Sequence, residues 1–276
     1  MSKLISITRN PGRVLLSLLF ALLLISGCTS ASKSRIAPMP EDILSKHTEQ
    51  RVILLYPNQG EESPRMTLRI EVSDVSGAPG QLIQELLYEG LGPQEYTERL
   101  TELYTDEYLS LLSLPIPLDE YDGPPAESMN WEYTETLEAS SPGSQLLVIS
   151  RNREYYLGGA HGMREKRYFV ILHDADTVQR LMLEDLIEPD AWSQLEGLIL
   201  EVLRKQGNLE TGVPLSQGGF FEDMVAVPDN FFLTPQGLGF HWDPYEIAPY
   251  VMGSIEVVLP YKEIQDLLKS GAPIRF

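Results

Sequence analysis

Between Met66 and Val72 the chain alternates strictly, with Met66, Leu68, Ile70 and Val72 on one side and Thr67, Arg69 and Glu71 on the other. A period of two sends successive side chains to opposite faces of an extended backbone, so this segment reads as a half-buried strand. The apolar run Arg51–Tyr56 just before it suits another strand, and folded structure is expected to begin near Arg51. The period then lengthens. Leu82, Ile83, Leu86 and Leu87 form one stripe over residues 81–89, and after Pro93 a second stripe holds Tyr96, Leu100, Leu103, Tyr104, Leu111 and Leu112. These are helices, the second opening on a proline whose fixed φ suits a first turn. Pro115, Pro117 and Gly123-Pro124-Pro125 mark a long loop.

A period of two returns where Trp131, Tyr133 and Leu137 alternate with Glu132, Thr134, Thr136 and Glu138, and residues 145–150 and 167–173 are further strands. Residues 181–187 lead into a helix over 189–204, with Trp192, Leu195, Leu198, Ile199, Val202 and Leu203 on one face and Arg204 and Lys205 where the helix dipole favours cations. Residues 230–233 and 238–242 flank Thr234-Pro235-Gln236-Gly237, a turn with proline at its second position, so they form a hairpin. Residues 254–259 give one more strand and 261–269 a short closing helix. No fixed internal period suggests a solenoid. The expected fold class is α+β: two small α/β subdomains, 47–165 and 166–276, with antiparallel or mixed sheets and packed helices.

The N-terminus follows a different pattern. Lys3, Arg9 and Arg13 precede an apolar run, Val14–Ile25, broken only by Ser17. At about 12 residues the run is shorter than the roughly 20 that span a bilayer, and it fits the core of a secretory signal. Ile25-Ser26-Gly27-Cys28 resembles the lipobox of bacterial lipoproteins, in which the cysteine takes a diacylglyceryl group and becomes the new N-terminus. The expectation is a signal peptide over 1–27, lipidation of Cys28 with acyl chains such as palmitate, and a flexible tether over 28–46, where small, polar and proline residues carry no apolar period. The protein would then be lipid-anchored at the cell envelope, facing periplasm or exterior. Cys28 is the single cysteine, so disulfides, thiolate metal sites and a cysteine nucleophile are excluded.

Charge narrows the partners. The chain carries −19, and loss of Lys3, Arg9 and Arg13 would take it to −22. Nucleic-acid binding requires a basic footprint, so no nucleic-acid partner is expected. Such acidity serves solubility, and it also steers a cationic partner.

Three stretches together resemble a known family: Tyr155-Tyr156-Leu157-Gly158-Gly159-Ala160-His161-Gly162, then Leu181–Leu186, then Asn230–Leu233 through Gly237-Leu238 to Asp243-Pro244-Tyr245-Glu246-Ile247-Ala248-Pro249-Tyr250-Val251-Met252-Gly253. They are similar to a paired-domain family of unknown function found in the extracellular part of the lysozyme-sensing anti-sigma factor RsiV, beside some peptidoglycan deacetylase domains, and in lipoproteins. The likeness runs from about Arg51 to Leu268. It implies a two-part α+β ectodomain whose C-terminal part is similar to a subdomain of the heat-shock-cognate ATPase, and a capacity to bind a basic protein such as lysozyme. Signalling and deacetylase activity do not carry over, since no sigma-binding segment and no appended catalytic domain is recognised.

The candidate ligand contacts are His161, His241, Trp242, Asp243 and Tyr245. The glycines around His161 suit either a backbone nest facing a ligand or a tight bend between strands, with His161 bonded locally. His241 and Asp243, two apart on a strand, share a face, but two ligands are too few to hold a metal. Trp242, Tyr245 and Tyr250 suit either an exposed aromatic platform or the core. The sequence holds no Gly-x-Ser-x-Gly elbow, no His-Glu-x-x-His helix and no phosphate loop, so no catalytic residue, metal or cofactor is expected. The reading is a non-enzymatic envelope binding module, with a peptidoglycan-associated module or an envelope hydrolase as the rivals.

Overall fold

The computed structural model describes residues 44–74, 78–113, 129–173 and 178–274. Cys28, the signal and most of the tether fall outside these residues, as does the proline loop of 115–125. Strands β1 (Ser45–Leu54), β2 (Arg65–Asp74), β3 (Trp131–Gly143), β4 (Leu146–Tyr156), β5 (Met163–His173) and β6 (Val178–Arg180) form one sheet in that order. Neighbours are antiparallel except β2 and β3, which run parallel. Parallel neighbours need a crossover connection. Helices α1 (Ala78–Tyr88) and α2 (Pro93–Leu109) lie within it and pack on one face of the sheet.

That face is the one alternation predicts. Met66, Leu68, Ile70 and Val72 are all buried beneath Ile83, Leu87, Tyr88, Tyr96 and Tyr108. In α2 the buried face runs through Tyr96, Thr97 and Tyr108, and Leu103, expected on the apolar stripe, is exposed. Strand β1 begins at Ser45 rather than near Arg51. Its first residues, Ser45–Gln50, contain no apolar side chain and are almost wholly exposed, and they are held by backbone pairing with β2 from Ser45↔Asp74 onward. Burial patterns do not register a strand held that way.

A second sheet contains β7 (Phe231–Leu233), β8 (Gly237–Trp242) and β9 (Ile255–Pro260), all antiparallel, with β8 central and buried along its whole length. Three helices join it: α3 (Leu183–Leu186), α4 (Trp192–Gln206) and α5 (Tyr261–Ile264). The apolar face of α4 buries Leu195, Ile199, Leu200 and Leu203 against this sheet. The two cores meet across the first sheet. In β4 and β5, Leu147, Ile149, Phe169 and Ile171 enter the helix-covered core, while Leu146, Val148 and Val170 enter the other. These strands are apolar on consecutive positions because both faces are covered. The division expected between residues 165 and 166 lies inside β5, a strand that serves both cores.

Candidate functional site

Strand β5 has an edge between Met163 and Phe169 that no strand pairs among the described residues, because β6 pairs only with residues 171–173. Unpaired edge groups need partners, and side chains supply them. Asn230 accepts from the Tyr168 amide (2.9 Å) and donates to the Lys166 carbonyl (2.7 Å), while the Asp243 carboxylate accepts from the Lys166 amide (2.8 Å). Asp243 is thereby tied to the first sheet, just where β8 ends.

The same carboxylate meets His241. The buried imidazole lies between two acids, Nε2 at 2.9 Å from Asp243 and Nδ1 at 2.9 Å from Glu256, and Glu256 also accepts from the Tyr168 hydroxyl at 3.1 Å. A carboxylate can only accept, so both ring nitrogens donate and the ring is an imidazolium. Burial pulls the pKa of His241 down, but hydrogen bonds and charge from Asp243 and Glu256 outweigh it and leave the pKa raised. Glu256 is held below its ordinary value, first by the hydrogen bond from His241. With each ring nitrogen held by a carboxylate, His241 acts as a clamp between β8 and β9. Among the described residues no group of three or more metal-ligating side chains occurs.

Beyond Asp243 the chain makes a tight turn. The Asp243 amide donates to the Glu246 carboxylate at 2.7 Å, the Glu246 amide to the Asp243 carbonyl at 3.1 Å, and the Tyr245 amide to the Ala248 carbonyl at 3.1 Å. Tyr245 sits at φ 73°, a left-handed conformation that side chains other than glycine seldom adopt. Strain of this kind persists where surrounding bonds impose it. Here it holds a tyrosine ring 48 % exposed.

The β4–β5 turn approaches the same place. Gly158 and Gly159 take φ 83° and 94°, and the Tyr156 hydroxyl donates to the Gly159 carbonyl at 2.9 Å, fixing a sharp reversal. The reversal presents His161, whose Nδ1 donates to the Gly162 carbonyl (2.9 Å) and whose Nε2 lies 3.1 Å from the Tyr245 hydroxyl. Its ring stacks on Tyr250 with centroids 3.9 Å apart. His161, Tyr245 and Tyr250 are therefore one surface cluster. Trp242 does not join it: its side chain is 3 % exposed and packs in the core beside Phe240.

The segment before β7 completes this face. The Phe221 amide donates to the Ile247 carbonyl at 3.0 Å, bringing Phe221 and Met224, both more than half exposed, beside the turn, and Val251 is exposed too. Phe221 and Met224 border a cavity of about 490 Å³ that Trp242 and the acids Glu222, Asp229 and Glu246 also line.

A second polar centre lies in the helix-covered core of the first sheet. Glu135 on β3, fully buried, accepts from Tyr133 (2.9 Å), Tyr96 (3.0 Å) and its cross-strand partner Arg153 (2.8 Å). Burial, reinforced by the Glu135 charge, pushes the Tyr96 hydroxyl up to about 12. Sequence reasoning passed over Glu135, Glu256, Phe221 and Met224. The one available signal was Glu135 at an inward position of an otherwise alternating strand.

Residues 184–262 match the model of a family described as a protein of unknown function, DUF3298. That span holds His241, Asp243, Tyr245 and Glu256. A DUF3298 family member from Bacteroides fragilis is similar in structure, with TM-score 0.66 and 21% identity over 82% of this chain and 94% of that one. A DUF3298 family protein from Pseudomonas aeruginosa gives 0.51 and 19% over 83% and 95%. At these identities the likeness is one of fold. No curated protein matches the chain.

Proposed function

We propose that this chain is a lipid-anchored module of the bacterial envelope that binds a basic secreted protein, lysozyme being the partner the RsiV-like sequence stretches suggest. The observation that carries the reading is the face built by residues 221–224 and 243–253. Large apolar groups stand exposed there, Phe221, Met224, Tyr245 and Val251, and the carboxylates of Glu222, Asp229 and Glu246 line the cavity with Phe221 and Met224. Exposed apolar groups with a polar rim mark recognition surfaces, and a chain of net charge −19 draws a cationic partner. Attachment through Cys28 rests on the lipobox-like Ile25–Cys28. Cys28→Ser is expected to abolish palmitate labelling in cells and to release the protein from the membrane fraction.

The stacked rings of His161 and Tyr250 with Tyr245 beside them also suit a sugar ring, which makes a peptidoglycan-associated module the second reading. One titration separates the two. The full chain in detergent is mixed with lysozyme, with a basic control protein of similar charge, and with insoluble peptidoglycan, at low and high salt. Saturable lysozyme binding that persists in high salt and is absent for the control supports the first reading. Capture by peptidoglycan alone supports the second, and equal, salt-labile binding to both basic proteins removes the first.

A further inference from the structure

We infer that the cavity beside Tyr245 is a socket for one arginine side chain of the partner, presented on a stretch of its main chain. This rests on the proposed reading of the face as a protein-binding surface. At about 490 Å³ the cavity is large enough for an amino-acid-sized group.

Its wall is unusual in what it leaves unused. Trp242 is almost fully buried and lines the cavity, and its indole N–H makes no hydrogen bond to the described residues. Indole is a donor only, so what it lacks is an acceptor, and such a donor on a residue of a cavity wall can be met by a ligand or water. A peptide carbonyl fits. The carboxylates of Glu222 and Asp229 likewise make no hydrogen bond or ion pair among the described residues, and Glu246 spends one oxygen on the Asp243 amide. Arg167 is the cation on the wall, and it forms no ion pair within 4.0 Å among the described residues. The lining is therefore acidic overall while its charges remain free to meet a ligand.

The apolar half selects among cations. Phe221 offers exposed aromatic surface, and Met224 offers contact for a methylene stem. A guanidinium is planar, weakly hydrated, stacks on rings and can serve several carboxylates at once. An ammonium is a strongly hydrated point charge and loses more on entering such a wall.

The test uses the full chain in detergent and the capped tripeptides acetyl-Gly-Arg-Gly-amide, its lysine counterpart, and its citrulline counterpart, which keeps the shape without the charge. Binding is read from the indole N–H resonance of Trp242, identified by its loss in W242F. The arginine peptide is expected to shift that signal saturably, the lysine peptide more weakly, and the citrulline peptide not at all. In E222Q/D229N the arginine peptide and lysozyme should each bind about tenfold more weakly; neither residue holds the fold through a side-chain bond, so the variant is expected to stay folded. An unmoved indole signal, or citrulline equal to arginine, overturns the socket, and lysine equal to arginine overturns the preference for guanidinium. If lysozyme still binds E222Q/D229N undiminished, the socket fails while the partner reading stands. If the arginine peptide binds and lysozyme does not, the socket stands and the named partner falls.

Discussion

His241 is one residue on which two sheets depend. Its ring joins β8 to β9 through Glu256, and both flanking acids reach β5, Asp243 through the Lys166 amide and Glu256 through the Tyr168 hydroxyl. The charged groups facing this cluster are Asp243, Glu256 and Lys166, with Glu138 acting on Tyr168. Because the folded pKa of His241 is raised above 6.5, its stabilisation is complete below that value and is lost as pH climbs through the raised pKa. Because the Glu256 pKa is lowered from 4.5, its share is complete above that value and is lost as pH falls through the lowered pKa. The clamp is therefore strongest between 4.5 and 6.5. His241→Gln is expected to cost about 2 kcal/mol near pH 6, less than the ~3–5 kcal/mol of a fully buried pair because Glu256 is half exposed to water. Urea denaturation across pH checks this: the wild type should lose stability as pH rises above 6.5, and the variant should show a much flatter dependence.

Between elements, the informative contact is Glu135 opposite Arg153, a cross-strand pair of β3 and β4 roofed by Tyr96 from α2. Arg153→Met leaves a carboxylate buried with two tyrosine donors and no cation, which should cost about 3 kcal/mol. Adding Glu135→Gln removes the charge and keeps an acceptor for the tyrosines, so the double variant should regain more than half of that loss in urea midpoint. Equal stability of R153M and wild type would deny the network any role. This pair also shows where sequence reading ends. Alternation in Met66–Val72 and Trp131–Leu137 was legible because one face meets apolar side chains and the other meets water. Glu135 interrupts that alternation, and its partners come from positions 96 and 153, which no local pattern connects. The hairpin of β7 and β8 was readable from Thr234-Pro235-Gln236-Gly237. The first half of β1 was not, since backbone pairing leaves no apolar mark. At the site, His241 and Asp243 were legible as sharing a strand face, whereas Glu256 and Asn230 come to them only through the tertiary fold. Trp242 was ambiguous from sequence, being both core and cavity wall.

For the whole molecule, the doubly covered strands β4 and β5 matter most. A chain whose two cores share the same strands cannot lose one core and keep the other intact. Trp131 reports on one core and Trp192 and Trp242 on the other, so fluorescence of W131F and of the double variant W192F/W242F is expected to trace one coincident unfolding transition. A segment ending at residue 165 would keep only the first residues of β5 and is expected not to fold; two separated transitions would show the opposite.

The parallel pairing of β2 with β3 has a consequence for the order of assembly. Strands β3, β4 and β5 are joined by short turns, so their contacts close small loops and form early. Strand β2 meets β3 only after the chain from Asp74 to Trp131 has doubled back with both helices. The meander is thus the seed of the folding reaction, and β1 with β2 is its latecomer. Until they arrive, the growing sheet carries an open edge at β3, where a nascent chain is most in need of a chaperone.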